Sequence, residues 1–96
     1  MAEGYDLSGK ARADLRDIWI YTQDRWGTPQ ADRYYRDIIT AIERLAAGDL
    51  RGRKANIREG YLKYPVGRHV LYCVKGEDRL RIIRVLHQSM DVDRHL

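Results

Sequence analysis

Hydrophobic positions recur at helical spacing in the first half of the chain and gather into short runs between turn residues in the second. Ala11, Leu15, Ile18, Trp19 and Thr22 form one stripe, with Asp14, Arg16, Asp17 and Gln23 largely on the other side, which predicts a helix. Ser8 stands before it as an N-cap whose hydroxyl can accept from an unpaired first-turn amide. Gly27 predicts a left-handed C-terminal cap, and Thr28-Pro29 a restart with a cap followed by Pro at the first position. The second helix places Ala31, Tyr34, Tyr35, Ile38, Ile42, Leu45 and Ala46 on one face, and Gly48 stops it. The junction Trp26 to Pro29 is short enough to force an antiparallel hairpin. Gly4 to Leu7 reads as a lead-in or edge strand.

Asp49 to Glu59 is a polar connection holding the basic cluster Arg51, Arg53, Lys54 and Arg58. Tyr61 to Tyr64, Arg68 to Lys75 and Leu80 to His87 are then rich in β-branched and aromatic residues, with turns at Pro65-Val66-Gly67 and Gly76-Glu77-Asp78. They predict an antiparallel meander of at least three strands. The fold class is therefore α+β: an N-terminal helical hairpin packed on a small antiparallel sheet, with a C-terminal tail returning across it. Ninety-six residues suit one domain, 1–96, because so short a chain cannot bury a second core. In one long strand His69, Leu71 and Cys73 face away from Val70, Tyr72 and Val74. In the other, strict alternation sets Leu80, Ile82 and Leu86 against Ile83 and Val85. Both sheet faces thus carry apolar side chains, while one hairpin covers one face. This predicts an exposed apolar groove beside Arg68, Arg81 and Arg84, suited to an amphipathic acidic segment; a homodimer or a strongly twisted sheet would be the alternatives.

Hydrophobic residues make up 44% of the chain, which argues against disorder. No apolar run approaches the roughly 20 residues that span a bilayer. Met1 to Lys10, with Glu3 and Asp6, lacks the basic start and apolar run of a signal peptide, so the cytoplasm is the expected location. The single cysteine, Cys73, sits in an apolar run and reads as a buried free thiol. The net charge of +4, carried mostly by Arg, suits an anionic partner, whether nucleic acid, an acidic protein segment or merely solvent.

His69, His87 and His95 lie far apart in sequence, and no chelating spacing occurs, so neither metal nor cofactor is expected. A nuclease could use His87 to move a proton, Arg68, Arg81 or Arg84 to stabilise phosphorane-like charge, and Tyr61, Tyr64 or Tyr72 to orient a hydroxyl. No fixed spacing singles out an acid–base pair, and there is no phosphate loop or nucleophile elbow. The Arg51-Gly52-Arg53-Lys54 cluster reads first as a solvated loop that could also touch phosphates. Trp19 and Trp26 are read as core packing.

Leu7-Ser8, Ala11, Asp14-Leu15, Ile18-Trp19 and Tyr21 resemble the opening of ParE toxins of bacterial toxin–antitoxin pairs. The resemblance continues through Arg25-Trp26-Gly27, Ala31 and Tyr34, then Pro65 to Val70, Ile82 to His87, Met90-Asp91 and Arg94-His95-Leu96. It departs at Cys73, where an aromatic residue is usual, and in the loop after Gly48. It implies a non-enzymatic toxin that poisons DNA gyrase and blocks replication, neutralised by a ParD-type antitoxin whose C-terminal segment wraps it. The expected complex is a hetero-oligomer with two copies of each chain or more, touching operator DNA only through the antitoxin. Tyr61, Arg68, Tyr72, Arg81 and Arg84 are the expected antitoxin contacts, and His87, Met90, Arg94 and His95 the expected target contacts. The wider superfamily also holds RelE-type ribosome-dependent mRNA endonucleases, an alternative that Arg68 and His87 keep open and the lack of a nearby C-terminal Tyr weakens. A non-toxic antitoxin-binding module is a further alternative.

Overall fold

The computed structural model describes residues 4–96, so the first three residues of the Met1–Lys10 stretch and of the 1–96 domain lie outside it. Strand β1 (Tyr5–Leu7) leads into helix α1 (Gly9–Trp26) and helix α2 (Thr28–Ala47). Strands β2 (Arg53–Lys54), β3 (Leu62–Val66), β4 (His69–Lys75) and β5 (Leu80–His87) follow, and the short helix α3 (Val92–His95) closes the chain. The sheet order is β1-β5-β4-β3-β2, with β1 parallel to β5 and the other pairs antiparallel.

The hairpin follows the sequence pattern closely. Ala11, Leu15, Ile18 and Thr22 are the buried stripe of α1, and Ala31, Ile38, Ala41, Ile42 and Ala46 that of α2. Ser8 is the N-cap, its Oγ accepting from the Ala11 amide at 2.9 Å. Gly48 ends α2 in the left-handed conformation, leaving its amide on Arg44 and Leu45 carbonyls. At the reversal itself Gly27 plays both roles, C-cap of α1 and N-cap of α2. Thr28 is therefore the first helical residue and not the cap, because a one-residue link leaves no separate cap position. Tyr35, read into the stripe of α2, is exposed.

The first β-turn also differs from expectation. Val66 pairs with His69, so the turn is the two residues Gly67-Arg68, and β3 runs on through Pro65 and Val66. A two-residue hairpin turn needs a positive φ, and Gly67 supplies it at 57°. In β5 strict alternation fails. Tyr72 pairs with Arg84 and Cys73 with Ile82, leaving Ile83 as a bulge. The extra residue inverts the faces beyond it. Val85, not Leu86, joins Leu71, Cys73, Leu80 and Ile82 in the core under the helices.

Leu86 and Tyr72 instead belong to a smaller cluster on the far side of the sheet, with Ala55, Ile57, Tyr61, Val70, Val92 and Leu96 around them. Tyr72 is 9% exposed and Leu86 2%. This corrects the predicted open groove: the loop before β3 and the returning C-terminal segment cover that face. Among the described residues the large apolar side chains left open lie elsewhere, on the hairpin and the C-terminal turn.

Candidate functional site

The molecule opens where the free end of the hairpin passes over the β3–β4 turn and the end of β5. Here a cleft of about 810 Å³ is lined by Tyr21, Arg25 and Trp26 of α1, Tyr34 of α2, Arg68 and His69, and His87, Ser89 and Met90. Three of these, Tyr21, Trp26 and Met90, are among the most exposed large apolar side chains, Trp26 at 67%. The Trp26 reading as core is thus corrected. It sits in the last turn of a helix that ends at the chain reversal, beyond the reach of the sheet. Trp19 does turn inward in part, and its Nε1 donates to Asp32 Oδ1 at 2.9 Å. The Arg25 guanidinium lies 5.4 Å from the Tyr21 ring centre, a cation–π contact.

The floor of the cleft is a line of polar groups. His69 and His87 are direct cross-strand partners, with ring centres 5.3 Å apart and planes nearly perpendicular. Tyr34 Oη and His69 Nδ1 are 2.6 Å apart, and the same hydroxyl accepts from the Arg68 amide at 3.1 Å. His87 Nδ1 accepts from the Ser89 amide at 3.1 Å and meets Ser89 Oγ at 2.7 Å. Gly67 makes the Tyr34 contact feasible, since a Cβ there would stand 2.6 Å from Tyr34 Cε1. Burial, and secondarily the charge of His87, lowers the His69 pKa to about 4 despite the opposing pull of Asp14. His69 is therefore uncharged at neutral pH and a poorly matched general base. Burial raises the Tyr34 pKa as well. Cys73 is buried as expected, its thiol pushed up to about 11 by desolvation. Among the described residues no group of three or more His, Cys, Asp or Glu is placed to hold a metal ion. None of their helices is long and apolar enough to cross a membrane.

The cleft gathers Arg68 from one predicted set and His87 and Met90 from the other. Tyr61 and Arg81 stand outside it; Tyr61 is half-buried beneath the Arg58 guanidinium, and Arg81 is exposed on β5 opposite Asp6. Tyr72 is buried in the far-side cluster. Arg84 is occupied: its Nε and Nη2 donate to both Asp14 oxygens at 2.8 and 2.9 Å, and Nη1 to the His95 carbonyl at 2.7 Å. Neither Tyr72 nor Arg84 presents a free surface, because loop and tail cover one and Asp14 holds the other. Arg94 is exposed beside Asp91, and His95 contributes its carbonyl to Arg84. Tyr21, Arg25 and Tyr34 line the cleft without having been singled out from the sequence for a site, and His69 had been weighed only as a metal or catalytic candidate. The spacing of Tyr21, Arg25 and Trp26 on one helical flank next to a chain reversal was the available signal.

The comparisons with known proteins agree over nearly the whole chain. The family model described as ParE toxin of the type II toxin–antitoxin system parDE matches residues 5–92. This chain belongs to the ParE toxin family. A relative named Toxin ParE1 from Mycobacterium tuberculosis is 49% identical over 98 residues, covering all of both chains. Among solved structures, a chromosomal ParDE system from P. aeruginosa contains a chain of the same fold, with a TM-score of 0.78, 20% identity, and 91% and 96% of the two chains covered. The RelBE2 toxin–antitoxin complex from Mycobacterium tuberculosis also matches, at a TM-score of 0.64 and 21% identity over 91% and 99% of the two chains. The fold of this chain is thus shared with a chain of the RelBE2 complex, and fold by itself does not choose an activity.

Proposed function

We propose that this ParE toxin acts in the cytoplasm by binding DNA gyrase and trapping its DNA-cleavage step, without catalysing a reaction of its own. A ParD-type antitoxin neutralises it in a hetero-oligomer with two copies of each chain or more. The observation that carries the reading is the full-length match to ParE1, joined to the family match over residues 5–92. The cleft supports a binding role. Exposed Trp26, Tyr21 and Met90 are anchor-type side chains of a protein interface, whereas His69, with its pKa lowered to about 4, is a weak base poorly matched to proton transfer at neutral pH. Target contact falls to His87 and Met90 with the hairpin end beside them, and to Arg94 and His95 at the chain's end. Antitoxin contact falls to Tyr61, Arg68 and Arg81, with the buried Tyr72 and Arg84 holding the surface that bears them.

The facing His69 and His87 with Arg68 in one cleft favour a second reading, ribosome-dependent mRNA cleavage. The test is a supercoiling and cleavage assay with purified gyrase, adding the chain alone and then with the protein encoded beside it. Accumulation of cleaved DNA, relieved by the partner, is the expected result. Untouched gyrase together with ribosome-dependent mRNA cleavage would establish the second reading. No effect in either assay, with the partner still bound, would reveal a module that only captures the antitoxin.

A further inference from the structure

The charge of the chain is segregated. Residues 51–87 hold ten basic residues against three acidic, a net +7, whereas the rest holds eight against eleven, a net −3. Within the basic half, Arg53 and Lys63 are direct cross-strand partners of β2 and β3. Like charges placed opposite each other in a sheet are destabilising, and native sequences usually avoid or neutralise them. Arg51 and Lys54 flank this pair, and all four residues are exposed. Among the described residues none of them stands within 4.0 Å of a carboxylate. A local rule broken without internal compensation marks a functional surface.

We infer that this β2–β3 edge is a duplex-DNA contact of the toxin itself, reading phosphates and not bases. Protein partners favour aromatic and apolar anchors and avoid lysine at the centre of an interface. Among the described residues the exposed large apolar side chains are Ile20, Tyr21, Trp26, Tyr35 and Met90, and none of these lies on this edge. Cations with no exposed apolar anchor among them fit a polyanion whose contacts are electrostatic. The choice of DNA among polyanions rests on the proposed gyrase reading, since that target works on duplex DNA. Such a contact would place the toxin on DNA directly, where the sequence led us to expect contact only through the antitoxin.

The test uses the whole chain with a fluorescent duplex of about 30 base pairs and no topoisomerase present, so its failure leaves the gyrase reading standing. Anisotropy is titrated between 50 and 200 mM NaCl for wild type, for the triple variant Arg51→Ala, Arg53→Ala, Lys63→Ala, and for a charge-matched control, Arg12→Ala, Arg33→Ala, Arg36→Ala, with circular dichroism to check folding. Each lost phosphate contact flattens the slope of log K against log salt by about 0.9, so the triple variant should flatten it by about 3 and bind at least tenfold more weakly, while the control changes little. If the triple variant unfolds, Lys63→Ala alone should still flatten the slope by about 1. Equal losses in both triples would overturn the assignment. So would absence of binding by wild type, or preference for a duplex RNA or a glutamate-rich peptide of equal charge.

Discussion

His69 shows how one side chain can be set by its neighbours. Its ring is half-buried between Tyr34 and His87, and its pKa lies near 4 against an ordinary 6.5 because burial, and then the charge of His87, penalise the protonated form. Between those two values the unfolded chain binds more protons than the folded one. This contribution to stability is therefore complete above pH 6.5, is lost as pH falls toward 4, and is level below. His69→Gln should remove the loss, about 2 kcal/mol once solvent screening at this half-buried ring is allowed for. Urea midpoints for both proteins from pH 4 to 7 test this, since the carboxylates titrate in both and only the difference reports His69. Curves that stay parallel through the window would refute it.

At the scale of elements, α1 and β5 are joined at the bulge. Ser8 Oγ donates to the Ile83 carbonyl at 2.6 Å, and Asp14 Oδ2 accepts from the Val85 amide at 2.9 Å besides its two bonds from Arg84. The Asp14 and Arg84 side chains are only 13% and 14% exposed, so removing one leaves the other charge buried. Asp14→Ala should cost about 3 kcal/mol and Asp14→Asn less, because the amide oxygen can still accept from Val85. Chemical denaturation at neutral pH would show that order; equal midpoints for all three proteins would refute it. The two helices were legible because a 3.6-residue stripe, Ser8 and Gly48 all mark them locally. The bulge was not, since nothing in the run Arg81-Ile82-Ile83-Arg84-Val85 flags one residue too many. That single residue moved Val85 into the core, while Arg84, which the sequence had offered as a free groove residue, is held by Asp14. The cleft was half legible: Arg68, His87 and Met90 were picked out, while Trp26 looked like core because helical spacing does not say where a helix outruns its sheet.

Across the whole molecule the sheet separates two apolar clusters of unequal size, and the smaller depends on the chain's last residues. Val92 and Leu96 pack against Tyr72, Leu86 and Ala55, and the His95 carbonyl takes a bond from Arg84. The C-terminal segment is thus a structural cover as well as the proposed target contact, and deleting Met90 to Leu96 would disturb both roles at once. Point changes separate them. Val92→Ala with Leu96→Ala should lower stability by about 2 kcal/mol through lost apolar burial and uncover Tyr72 and Leu86, so binding of a hydrophobic dye should rise. Met90 is exposed and outside that cluster, so Met90→Ala should leave both stability and dye binding unchanged while weakening inhibition of gyrase. If instead Met90→Ala raised dye binding, the cleft would be part of the support of the far-side cluster and not a free surface. If the double variant bound no more dye than wild type, the loop at Ala55 to Tyr61 would be covering that face unaided.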